Sequence, residues 1–134
     1  MFLRTERNIG LASAAIVTLA CAAPGHAAGI DDMVGRWGGN DSAYDCNAEA
    51  GTETQYVEVE KAENGYYVGA YAWGCTVKSP LDVGGLIGGD ASCANEGDDE
   101  NTVSHVELGL TNNGQLRLVQ ETGENVLNRC AAAN

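Results

Sequence analysis

Hydrolysis by a side-chain nucleophile needs a serine or cysteine, a base to take its proton, and a group to orient that base. Beyond residue 27 the chain offers one histidine for the part of base, His105. Ser104 adjoins it, but the alternation of Val106, Leu108 and Leu110 marks those as the inward positions and turns the histidine to water. Carboxylate pairs abound in so acidic a chain, yet none sits among apolar neighbours that would raise its pKa for acid–base work. The glycine-rich run 84–89 lacks the lysine and helix that complete a phosphate loop. These residues describe a protein that is not an enzyme and carries no cofactor.

Two groups remain that could bind rather than react. The run Asn95-Glu96-Gly97-Asp98-Asp99-Glu100-Asn101 is rich in oxygen ligands suited to a hard cation, with Asp41 and Asp45 in an earlier loop. Its spacing matches no EF-hand, so a solvated acidic turn is the plainer reading, and Asp98, Asp99 and Glu100 stand as candidate binding residues without an assigned metal. The second group is aromatic: Tyr66, Tyr67, Tyr71 and Trp73 crowd one segment. Read as one strand over 66–77, it places Tyr67, Tyr71, Trp73, Cys75 and Val77 on the core face, with Ala70, Ala72 and Gly74 behind. Tyr66 is out of phase with them. It is therefore expected outside, as a recognition residue and the best single position to mutate.

The chain begins like an exported protein. Arg4 and Arg7 precede an apolar stretch, Ile9 to Ala23, and Gly25-His26-Ala27 offers small residues around a cut. A spanning helix needs about 20 apolar residues. This stretch is shorter, carries Ser13 and Thr18, and ends at Pro24. Residues 1–27 are thus expected to be a cleavable signal and 28–134 a single small domain, periplasmic or secreted. The alternative is a lipid anchor at Cys21, although Thr18 stands where a lipobox has an aliphatic residue. The full chain has 7 basic and 19 acidic residues, and losing Arg4, Arg7 and Glu6 leaves five against 18, a net charge of −13. That charge repels nucleic acid and anionic membrane faces and attracts cationic proteins.

Four cysteines follow the signal: Cys46, Cys75, Cys93 and Cys130. An oxidising compartment makes them disulfides. With no CxxC spacing and one histidine, a zinc site is not indicated. Three pairings are possible. The positions favour Cys46 with Cys130, tying the first part of the fold to its last strand, and Cys75 with Cys93, clipping two neighbours.

The elements that must position these groups are strands. Asp31–Val34 has room for one helical turn. Tyr56–Glu60 alternates with Val57 and Val59 inward, Asn64-Gly65 signals a hairpin turn, and Ser79–Asp82 reads as a turn. The 84–89 run has too much glycine for a regular strand. Strands resume at Ala91–Cys93, around Val106–Leu110, at Leu116–Leu118 and at Val126–Cys130, with a turn at Asn112-Asn113-Gly114. Six or seven short strands with tight turns predict an all-β fold, a small antiparallel barrel or sandwich held by two disulfides.

Gly35-Arg36-Trp37, then Cys46, then Trp73-Gly74-Cys75, Cys93, Leu116-Arg117-Leu118 and Arg129-Cys130 form an order that resembles a group of small exported bacterial proteins of unassigned function. Gly-x-Trp opening a small β-barrel, with an early cysteine, is more distantly similar to the bacterial inhibitors of secreted metalloproteases, which have a lipocalin-like barrel and one disulfide. That likeness implies insertion of an N-terminal segment, here residues 28–34, into a protease cleft. The expected function is a binding module contacting a cationic envelope or extracellular protein, with inhibition of a hydrolase as one form. The alternatives are a barrel that binds a small ligand or a divalent cation, and a structural envelope protein.

Overall fold

The computed structural model describes residues 27–39, 44–48 and 55–131. The expected signal, most of the 41–51 loop and Cys21 lie outside them. Among the described residues the chain is all-β apart from one short helix, α1 (Ile30–Met33). Nine strands follow: β1 (Gly35–Gly38), β2 (Val57–Ala62), β3 (Gly65–Ala70), β4 (Trp73–Lys78), β5 (Leu81–Val83), β6 (Leu86–Asn95), β7 (Thr102–Leu110), β8 (Leu116–Gln120) and β9 (Gly123–Arg129). Every pairing is antiparallel.

The sheet closes on itself. β1 pairs with β9, and β4 pairs with β6, so eight strands form an up-and-down barrel and β5 is an addition to β6. Closure rules out the sandwich and removes the edges of the eight barrel strands, leaving the added β5 with one unpaired side. The expected count of six or seven strands falls short for a local reason. Tyr66–Val77 is not one strand but a hairpin, β3 and β4, with Tyr71-Ala72 as its turn and Ala70 opposite Trp73.

That turn inverts the faces. Residues opposite each other share a face, and here Tyr66 pairs with Val77 and Val68 with Cys75. Even-numbered residues of β3 therefore face the same way as odd-numbered residues of β4. Tyr66, Val68, Cys75 and Val77 are all buried. The prediction of an outward Tyr66 is overturned, and so is that of an inward Tyr67. Tyr67 lies on the outer face, its ring in the space left by Gly69 and Gly74.

An eight-stranded barrel has an interior that side chains can fill, and here they do. Trp37, Tyr66, Met33, Leu108, Leu116, Leu118 and Leu127 are fully buried, with Val57, Val59, Val68, Val77 and Val106. The valines of β2 point inward as their alternation predicts. The Tyr66 hydroxyl crosses the interior and donates to the carbonyls of Ile87 (3.0 Å) and Val106 (3.2 Å). Burial, with a smaller contribution from Glu107, pushes its pKa far above the usual tyrosine value.

One end of the barrel is sealed. Met33 is fully buried, and the Trp37 indole donates to its carbonyl at 2.8 Å. Arg129, at the end of β9, donates to the carbonyls of Val34 (2.9 Å) and Asp32 (2.5 Å) and lays its guanidinium 4.2 Å from the Trp37 ring centre. The sequence Gly35-Arg36-Trp37 has a structural meaning here. Gly35 takes φ +133°, and a Cβ there would meet the Arg129 guanidinium at 2.9 Å. Arg36 points outward, over Tyr56 and beside Glu58. Residues 28–34 therefore form the lid of this barrel, packed down rather than projecting.

Both disulfides form as expected. Cys46 joins Cys130 across 84 residues, and Cys75 joins Cys93, its direct partner in the β4–β6 register. Two disulfides place the chain in an oxidising compartment, extracellular or periplasmic. The glycine-rich run divides where its conformation demands: Gly84 and Gly85, at φ 63° and 84°, make a two-residue turn. Leu86 then starts a strand of ten residues, because Gly88 and Gly89 keep pairing with β7. Leu81 and Asp82, expected in a turn, are in β5, and the β2–β3 turn is Glu63-Asn64, one residue earlier than predicted.

Candidate functional site

In an up-and-down barrel every second turn falls at the same end. Opposite the α1 lid lie the β3–β4 turn (71–72), the β6–β7 loop (96–101), the β8–β9 turn (121–122) and the chain leaving β1. They surround a cleft of about 310 Å³. Tyr44, Trp73, Ser104, Gln120 and Glu121 line it, and the Cys75–Cys93 bridge lies at its buried side. The Trp73 indole donates to the Tyr44 hydroxyl at 3.1 Å, and the two rings meet edge to face with centroids 6.4 Å apart. Interior packing stops the cleft from opening into a calyx.

The charge at this end has one sign. Glu96, Asp98, Asp99 and Glu100 stand in the β6–β7 loop and Glu121 in the β8–β9 turn, and none of the three turns contains a lysine or arginine. The described basic residues are all elsewhere: Arg36 on β1, Lys61 against Asp31 of the lid, Lys78 at the far end of β4, Arg117 paired with Glu124, and Arg129 on the lid. The acidic loop is held in place. Its Glu96 N–H donates to the Ala72 carbonyl at 2.7 Å, and the Asn95 side-chain amide donates to Asp98 at 2.9 Å. Among the described residues, no three acidic, histidine or cysteine side chains are arranged to hold a metal ion.

Asp98, Asp99 and Glu100 are thus brought together with Glu121, Trp73 and Tyr44. Tyr66 is not with them. Tyr44, Gln120 and Glu121 escaped the sequence reading because a turn belongs to an end of the barrel only once the strands are counted. The strand count missed the Tyr71-Ala72 turn. Comparison with protein-family models, with curated proteins and with solved structures finds no match. The chemistry this end of the barrel offers is an aromatic cleft with acidic turns beside it, a combination of negative potential and π faces.

His105 lies apart, on the outer face of β7, as its phase predicts. Nε2 is 3.0 Å from Glu107 and Nδ1 is 3.6 Å from Asp90, its cross-strand partner. The two ring nitrogens diverge, so they cannot share one ion with both carboxylates. The Glu107 hydrogen bond, with help from Asp90, raises the imidazole pKa above its ordinary value. In an NMR titration His105 is expected to titrate above about 6.5, and Glu107→Gln to bring it back towards that value. The protonated form is favoured by folding, so the pair contributes stability at low pH and loses it as pH rises through the folded pKa. A pKa at or below the ordinary value would show that the contact does not persist in solution.

Proposed function

We propose that the chain is an exported, non-catalytic binding module that receives a cationic group of an envelope or extracellular partner protein at its acidic mouth. One observation carries this reading. The aromatic cleft of Tyr44 and Trp73 has Glu121 in its wall, and four more carboxylates stand in the 96–101 loop at the same end, where no turn carries a basic residue. Such a one-signed end steers a cation inward and raises association rates at low salt, and a tryptophan face holds it once desolvated. The leader-like N-terminus and the two disulfides agree with work outside the cytoplasm. If a hydrolase is the partner, inhibition would run through the mouth loops, because residues 28–34 are occupied as the lid.

A pull-down from envelope and culture extracts with the oxidised protein tests this. A basic protein retained at low salt, weakened at moderate salt, and reduced about tenfold or more by Trp73→Ala combined with Glu121→Gln is the expected result. A partner indifferent to salt and to both substitutions would move the interface away from the mouth. Turnover of a substrate by the purified protein would end the non-catalytic reading.

A further inference from the structure

The barrel leaves one strand edge open. β6 is longer than the strands beside it: its Ala91–Asn95 half pairs with β4, and its Leu86–Gly88 end pairs with β5. Among the described residues, no strand pairs with the other side of β5. Its three residues are all exposed, Leu81 by 71% and Val83 by 70%. Natural sheets blunt such an edge by keeping it very short, with charge, with proline or with a bulge; β5 is short, but exposed apolar residues stand on both sides of its centre. β5 carries one charge, Asp82, whose carboxylate accepts from the Gly85 N–H at 3.2 Å.

The turn type settles which backbone groups face outward. Gly84 and Gly85 both have positive φ, the conformation of a two-residue type I′ hairpin. Its closing pair, Val83 and Leu86, exchanges both hydrogen bonds, and bonded pairs then alternate with unbonded ones. Leu81 is therefore turned towards Gly88. Asp82 directs its N–H and carbonyl away from β6, where an incoming antiparallel strand would bind both. Leu81 and Val83 flank that pair on one face, with the Asp82 side chain on the other.

A second copy of the chain is a poor occupant. Two β5 edges paired over their full length about a twofold axis set Asp82 opposite Asp82, and like charges directly opposite repel. Each chain also carries a net −12.

We propose that the β5 edge receives an extended segment of a partner protein by strand addition. The segment has a basic residue opposite Asp82 and an apolar residue on each side of it, against Leu81 and Val83. This surface is separate from the mouth, on the arm beyond the far end of β4, and the proposal stands whether or not the mouth binds.

The test uses ¹⁵N-labelled, disulfide-intact protein and two capped octapeptides, one alternating valine with lysine and one alternating valine with glutamate. At low salt the lysine peptide is expected to slow hydrogen exchange at the Asp82 amide at least tenfold, whether or not the Trp73 and Glu121 amides at the mouth also respond. Val83→Lys and Leu81→Lys should each abolish the slowing. Both side chains are exposed, so an unchanged amide spectrum will confirm that these variants fold. The proposal is overturned if the lysine peptide leaves Asp82 unprotected. It is overturned equally if the glutamate peptide protects as well, if the response maps to the mouth alone, or if sedimentation shows the protein pairing with itself through β5.

Discussion

Removing the Cys46–Cys130 bond, as the Cys46→Ser/Cys130→Ser variant, is expected to destabilise the protein by about 4–5 kcal/mol on the chain-entropy account. The bond closes a loop of 84 residues, and a small domain has about 5–15 kcal/mol in all. From about a third to nearly all of that margin is therefore at stake. The Cys75–Cys93 bond closes a loop of only 18 residues, so the Cys75→Ser/Cys93→Ser variant should lose less, about 3 kcal/mol. Urea denaturation at fixed pH will rank them. The reverse order would mean that the β4–β6 clip works in the folded state, holding the barrel seam, rather than through the unfolded chain.

Tyr66→Ala is expected to cost about 3–5 kcal/mol, as for other large aromatics removed from a core. Tyr66→Phe keeps the ring and removes the donor to the Ile87 and Val106 carbonyls, which should cost about 1–3 kcal/mol. Partner binding at the mouth should survive Tyr66→Phe, because no atom of Tyr66 lines the cleft. The pH dependence has a definite sign. A hydroxyl whose pKa is raised by folding contributes stability that is intact below the unfolded tyrosine value, about 10, and is lost as pH rises beyond it. Tyr66→Phe should flatten that alkaline limb. A near-neutral Tyr66→Ala, or a Tyr66→Phe that abolishes binding while leaving stability intact, would restore Tyr66 to the surface.

The difference between these two accounts of Tyr66 shows what could be read from the sequence. The all-β class, the inward valines of β2, the inward Val106 and Leu108, the short helical turn and both cysteine pairings follow from alternation, turn residues and position along the chain. The strand count and the site did not follow, and both failures trace to Tyr71-Ala72. Neither residue is a turn former by type, so the aromatic segment passed for one strand, and every residue before the turn was assigned to the wrong face. The acidic loop was recognised as exposed. Its neighbours Glu121 and Tyr44 lie far from it in sequence, and only closure of the barrel brings them to one end. The edge at β5 was hidden too, because a glycine-rich run looks unlike a strand until its pairing with β7 is seen.

The lid has a consequence in time. A chain made from its N-terminus releases α1, β1 and Cys46 first, but Arg129 and Cys130, which fasten them, come last. The β1–β9 seam rests on Trp37 meeting Arg129 and Gly38 meeting Asn128, so the barrel cannot close until nearly the whole chain has emerged. In the meantime the Cys46 thiol encounters Cys75 and Cys93 before its own partner. A premature bond from Cys46 to either of them must be reshuffled, a process of seconds to hours depending on oxidant and isomerase, whereas Cys75 with Cys93 is already the native pair. The order in which the cysteines appear along the chain is thus the reverse of the order in which the seam can be fastened.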